Sequence, residues 1–268
     1  MSEMTTYHWS FQEDIEAYRT AGIDAVGVWR QKLTEFGEER GAELLRESGL
    51  TVSSLSFAGG FTGSDGDSCL EAIDDALEAI DLAAEIQASC LVLVSGSRVG
   101  HTGNHARRLL RDALLRLGDA AGERNLQLAL QPMQESPTVR LELLSMLDGM
   151  LDVLHRCDHP HVGLACDVYH LGKEAEFANR LPQVMPWIKT VTLSDRHDKP
   201  RSDNDRCLPG DGVLGIAELV CGLHAAEYQG YYDIQIHSDK YWNSDYVQLL
   251  KSCQESFQRL CPVIQATE

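Results

Sequence analysis

The residues best suited to chemistry cluster in one short stretch. In "GLACDVYHLG" a carboxylate, Asp167, closes an apolar run, and His170 follows three positions later. A carboxylate rarely ends such a run unless it binds something. Asp167 and His170 are therefore the candidate catalytic residues, His170 as acid/base and Asp167 as its orienting or metal-binding partner. Other polar and aromatic groups fall just after apolar runs: His8 and Trp9, Trp29 and Arg30, Arg98 with His101 and His105 in "SGSRVGHTGNHARR", Gln131, Thr192 to Asp195, and Gln235 with His237. In "DRHDKPRSDNDRC" most charges read as solvated, with Arg206 the one expected to turn inward. Indole, imidazole and guanidinium groups gathered around one carboxylate suit a polar pocket for a small ligand, with His8, Trp29, Arg98, His101, Arg206 and His237 as its candidate contacts. His8, Trp9 and Trp29 fit equally a plug of core filler or a surface for stacking a sugar ring. His101 and His105 fit solvated loop positions as well as ligand contacts.

The elements that must position these groups alternate along the chain. Short apolar runs with strand character occur at 5–9, 25–29, 51–57, 90–95, 126–131, 162–167, 188–194 and 231–236. Between them the apolar residues follow helical spacing, as in Leu70, Ile73, Leu77 and Ile80, and again in Leu143, Leu147, Met150, Leu151 and Leu154. Ser10 with Glu13, and Ser68 with Glu71, form capping boxes at two helix starts, while Gly22, Gly49 and Gly122 are placed for positive φ just past helix ends. Eight strands alternating with helices in 268 residues predict one domain, a (β/α)₈ barrel, α/β in class, with function at the C-terminal ends of the strands. A doubly wound sheet would call for a glycine-rich phosphate turn after the first strand, and "YHWSFQED" has none.

Composition narrows the ligand. A net charge of −18 argues against nucleic acid and anionic membrane as partners, since both need a basic face. No apolar stretch reaches membrane-spanning length, and no basic-then-apolar leader opens the chain. The eight cysteines include no CxxC pair, and several lie inside apolar runs, so they read as reduced core thiols of a cytoplasmic protein.

Three segments carry a family resemblance. "GLACDVYHLG", "LALQPM" and "LPGDGVLGIAELVCGLHAAEYQGYYDIQI" resemble elements of the xylose isomerase-like TIM-barrel superfamily of sugar isomerases, epimerases and related lyases, which takes in the AP endonuclease family 2-like proteins. The resemblance runs from the first strand to the last. It implies a small sugar, polyol or keto-sugar as ligand, proton-transfer chemistry, and a divalent metal (Mn, Mg or Co) held by Glu, Asp, His and Glu. Those positions fall on Gln131, Asp167, Thr192 and Gln235, so one of four is retained. Amides bring no charge to offset dehydration of a hard cation and no pKa suited to a general base, and the threonine removes the nitrogen ligand. Weak or absent metal binding is the expectation, with no tightly held cofactor. Two readings follow: an isomerase, epimerase or lyase using His170 and Asp167, or a binding protein or partner subunit without turnover. A relocated metal site on Asp167, His170 and His237 is the remaining alternative.

Overall fold

Helix starts follow the capping signals. In a computed structural model, which describes all residues except 64–67, 98–99, 133–146, 174–176, 203–204 and 266–268, Ser10 and Ser68 each accept from the backbone N–H three residues on, and Glu13 and Glu71 return the bond. Gly22 and Gly49 take positive φ as expected. Gly122 does not. It lies inside the last turn of a helix, where its missing Cβ leaves room for the His161 ring, and Asn125 adopts the left-handed conformation instead.

In chain order the first elements are α1 (Phe11–Thr20), β1 (Ala25–Trp29), α2 (Arg30–Phe36), α3 (Glu38–Ser48) and β2 (Thr51–Gly59). Next come α4 (Cys69–Glu85), β3 (Cys90–Val94), α5 (Gly103–Glu123), β4 (Gln127–Gln131), α6 (Leu147–Cys157) and β5 (Val162–Asp167). The chain continues through α7 (Val168–Leu171), α8 (Leu181–Val184), β6 (Ile188–Leu193), β7 (Asp195–Arg196) and β8 (Arg206–Cys207). It ends with α9 (Ile216–Ala225), β9 (Tyr232–Ile234), α10 (Asp239–Trp242) and α11 (Tyr246–Gln265). Seven strands form one parallel sheet in the order β1-β2-β3-β4-β5-β6-β9, with helices in the connections, as in a TIM barrel. β7 and β8 form a separate antiparallel pair.

The first predicted strand is displaced. Residues 5–9 form a turn, and the segment before them does the pairing. Ser2 bridges Gly27 in parallel, its N–H donates to Ile234 O at 3.0 Å, and Gly27 N–H donates to Met1 O at 2.9 Å. Met1–Glu3 thus runs between β1 and β9, in the place of the eighth strand.

Two compact units make up the chain. The first comprises Met1–Ser53, Asp167–Pro186 and Val191–Glu268; the second comprises Ser54–Cys166 and Trp187–Thr190. The core of the second includes Cys90, Val92, Ala129 and Ala165, with Phe57 packed on it. No helix among the described residues is long and apolar enough to cross a membrane.

Candidate functional site

The site is built in the first unit around the last residue of β5. Asp167 is fully buried and opens α7, accepting from Tyr169 N–H at 2.9 Å. That turn carries His170 back over the carboxylate, with Nε2 3.6 Å from Asp167 Oδ2. The third member comes from β8. Arg206, buried like Asp167, donates through Nη1 to Oδ1 and Oδ2 at 3.3 and 3.1 Å, and through Nη2 to Oδ2 at 3.1 Å. Nη1 also donates to Ser194 Oγ at 3.2 Å, and Nη2 lies 3.3 Å from His170 Nε2. Its guanidinium carbon is 4.5 Å from the Tyr169 ring centroid, a cation–π contact.

The short β7–β8 hairpin holds Arg206 in place. Asp195 pins it: Oδ1 accepts from the N–H groups of Arg196 and Leu214, and Oδ2 from those of Gly210 and Gly212, all at 2.8–3.1 Å. With four backbone donors on it, Asp195 organises the loop and is not available as a substitute ligand. A Cβ on Gly212 would stand 2.4 Å from Arg196 O and from the Asp195 carboxylate, so the loop needs glycine there.

Electrostatics follow from this packing. Burial opposes ionisation of Asp167, but Arg206, His170 and the Tyr169 N–H together outweigh it and hold the carboxyl below its ordinary range. Burial pushes the His170 imidazole down to about 4, with Arg206 and Lys173 acting in the same direction against Asp167. Burial, Arg206 and His170 likewise push His237 down to about 3. Both imidazoles are neutral at pH 7. An Arg206 donor on His170 Nε2 makes that nitrogen the acceptor.

An aromatic group adjoins these residues. His237 meets the edge of Trp242 at 5.3 Å between centroids, and its Nε2 lies 3.4 Å from Met4 Sδ. Trp242 donates Nε1–H to Met4 O at 3.0 Å. The Tyr7 ring lies between Trp242 and Trp29, at 4.6 and 5.4 Å with tilts near 30°. His8 is exposed against the edge of Tyr7. Trp9 turns away into a groove of about 590 Å³ between α1 and α11, shared with Ala17, Ala21, Val247 and Leu250.

Of the predicted contacts, Arg206, His170, Asp167 and His237 belong to one electrostatic group, and Trp29 and His8 join the aromatic one. His101 lies in the second unit, half-buried, with Nε2 3.2 Å from Thr62 O. Arg98 lies outside the described residues. Sequence reasoning gave no role to Tyr7 or Trp242, and it placed Tyr169 and Ser194 at strand ends without assigning them a partner. Tyr169 stood inside the motif between Asp167 and His170, so its place was legible; Trp242 follows the last strand in "SDKYWNS" with nothing to mark it.

The residues present do not fit a divalent cation. Asp167 gives both oxygens to a guanidinium. Gln235 Oε1 accepts from Ser2 Oγ at 3.3 Å. Thr192 pairs in register with Asp233, which itself holds Ser53 Oγ at 2.7 and 2.9 Å. Gln131 ends β4 in the second unit, buried. Among the described residues no three His, Cys, Asp or Glu side chains converge as a metal would require, and the set Asp167, His170 and His237 is not brought together as such a site.

Known proteins place the chain in a family. The model of the xylose isomerase-like TIM barrel family matches residues 15–260. A 3-dehydroshikimate dehydratase of Pseudomonas putida is 23% identical over 237 residues, which is 85% of this chain but 36% of that protein, so the chain spans about a third of that relative. A structure of a protein from Sinorhizobium meliloti 1021 is 27% identical at a TM-score of 0.88, covering 97% of this chain and 98% of that one. The IolI protein, solved with a bound zinc atom, is 17% identical at 0.85, covering 97% and 96%. The 3-keto-D-glucoside 4-epimerase YcjR of E. coli is 19% identical at 0.77, covering 94% of each chain.

Proposed function

Since the chain belongs to the xylose isomerase-like TIM barrel family, we propose that it binds a small sugar, polyol or keto-sugar at the C-terminal ends of its strands, without the divalent metal of its zinc-bearing relative. The observation that carries this reading is the junction at His237. That imidazole touches Trp242, the edge of a three-ring aromatic surface, and its backbone carbonyl accepts from Arg206 N–H at 2.9 Å, which ties it to the charged pair. Aromatic faces beside buried hydrogen-bonding groups are what a polyhydroxylated ring needs, apolar C–H faces against the rings and hydroxyls toward the polar side. Relatives that are a dehydratase and an epimerase support the same ligand class.

Two forms of this function differ in turnover. In the enzymatic form, neutral His170 or His237 moves a proton next to a carbonyl, and Arg206 orients it. In the second form the protein binds without turnover, alone or as a partner subunit. Amides at 131 and 235 favour the second form, because neither can serve as general base. A thermal-shift panel of free sugars, polyols and keto-sugars tests the common part. At least one should raise the melting temperature, and Trp242→Ala with Trp29→Ala should remove that response. A panel with no response, or a response indifferent to both substitutions, would defeat the reading. Solvent-deuterium incorporation into a binding keto-sugar, followed by NMR, separates turnover from binding.

A further inference from the structure

We infer that Arg206 is the resident cation of this site, a guanidinium standing on Asp167 where the family places a metal. The inference deepens the claim above that no divalent metal serves this site, and it does not depend on the identity of the ligand.

The surroundings of Arg206 are shaped for a planar cation. Its two terminal nitrogens meet Asp167, Ser194 Oγ and His170 Nε2, and the Tyr169 ring takes a face of the group at 4.5 Å. In-plane acceptors with an aromatic face are the partners a guanidinium uses and a spherical ion does not. A metal on the same carboxylate would lie about 2–2.6 Å from an oxygen. Arg206 nitrogens already stand 3.1 Å from Oδ2, so the two cations would crowd one another.

Charge counting points the same way. Asp167 and Arg206 sum to zero, and a divalent ion added to them would be an uncompensated +2 in a buried place. The neighbouring replacements then make sense together. Ser194, two residues beyond Thr192 and just past the end of β6, is an Arg206 acceptor, and continuing the β6–β9 register by one residue puts it level with Gln235. A carboxylate at 235 would be surplus beside a neutral pair, and an amide is not. The losses at 192 and 235 and the inward Arg206 are one exchange, an external cation for an internal one. Ligand binding by the native protein should accordingly not depend on metal supply.

The test compares Mn²⁺ uptake, by elemental analysis after dialysis and by titration, in two folded variants. Thr192→His/Gln235→Glu rebuilds an Asp, His and Glu set while keeping Arg206. A second variant adds Arg206→Ala. The first is expected to hold metal well below one per chain, and the second near one per chain and at least tenfold tighter. Equal uptake by both, or no uptake by the folded second variant, would overturn the inference. Should the second variant not fold, a double-mutant cycle of Arg206→Met with Asp167→Asn in the native chain decides. Coupling of tenfold or more in the unfolding equilibrium is required, and additivity overturns it. Sugar-induced thermal shifts of the native protein, with and without EDTA, are read separately. Their absence would sink the ligand reading and leave the metal result standing.

Discussion

Two aspartates of the first unit are buried against cations, and their ionisation goes opposite ways. Asp14 of α1 meets Lys32 of α2 at 2.6 Å, and Thr6 Oγ1 also bonds it. Glu3 lies in the same network: its Oε2 accepts from Trp29 N–H at 2.7 Å, while Lys32 Nζ donates to its backbone carbonyl and to that of Thr6. Two buried carboxylates share one ammonium there. Burial, then Asp14, raises Glu3 well above the usual carboxylate range, and burial raises Asp14 to about 7 in spite of Lys32. At Asp167 one carboxylate meets one guanidinium, and the carboxyl stays low. Depth is similar in both places, so the ratio of opposite charges decides. The first network ties the Met1–Glu3 segment to α1 and α2; the second lies at the strand ends, where the ligand is proposed to bind.

Removing each cation is the most direct way to break the comparison. Arg206→Met leaves Asp167 buried without its guanidinium, and should cost about 3–5 kcal/mol in chemical denaturation, the largest effect expected of any single substitution here. Asp167→Asn in the same chain should return much of it. A loss under about 1 kcal/mol would mean that the pair is not buried as described.

The pH profile of stability sharpens the contrast. His170 and His237 have folded values near 4 and 3 against an ordinary 6.5, so as pH falls below 6.5 the unfolded chain takes protons that the folded chain refuses. Stability is lost in that window, by up to about 3 kcal/mol for His170 and about 5 kcal/mol for His237. Asp14 works in the other direction. With a folded value near 7 against 3.8, it holds its proton when folded, and its contribution is lost as pH rises from 3.8 through 7. His170→Gln and His237→Gln should therefore flatten the acid limb, and Asp14→Asn should steepen it. An unchanged acid limb in both histidine variants would contradict their burial as neutral groups.

Lys32→Met should cost less than Arg206→Met, about 1–2 kcal/mol near pH 6, because Asp14 is already poised to take up a proton in place of its partner. The cost should grow toward pH 8, where that proton is harder to keep. Equal costs at both pH values would put Asp14 in the same class as Asp167.

Legibility followed the range of the interactions. Asp167, His170 and the inward turn of Arg206 could be read from sequence, because a carboxylate ending an apolar run and a cation in a polar loop each conflict with their own local context. Capping boxes at Ser10 and Ser68 are local and were also legible. The first strand was misplaced because "TTYHW" has the β-branched and aromatic residues of a strand, whereas "MSEM" pairs through long-range bonds such as Ser2 to Gln235 and Ser2 N–H to Ile234 O. Trp242 and Tyr7 are 235 positions apart in the chain yet 4.6 Å apart by ring centroid, and no local spacing encodes that contact. Gly122 shows the converse, a glycine placed by a neighbour's ring and not by its own φ.

The smallest expected effect is the response to chelator. If the second cluster is closed by its own guanidinium, EDTA should leave the melting temperature of the native protein unchanged within the error of the measurement, and any sugar-induced shift likewise. A chain that held a structural or catalytic metal would instead lose stability in proportion to the occupancy stripped away. The Asp14 network supplies the internal control, since its two carboxylates already share the Lys32 ammonium, and Lys32→Met should be as indifferent to EDTA as the native chain. A fall in melting temperature with EDTA that Mn²⁺ or Zn²⁺ reverses in the native protein but not in Asp167→Asn would place a metal on Asp167 after all, and Arg206 would then have to swing away from it.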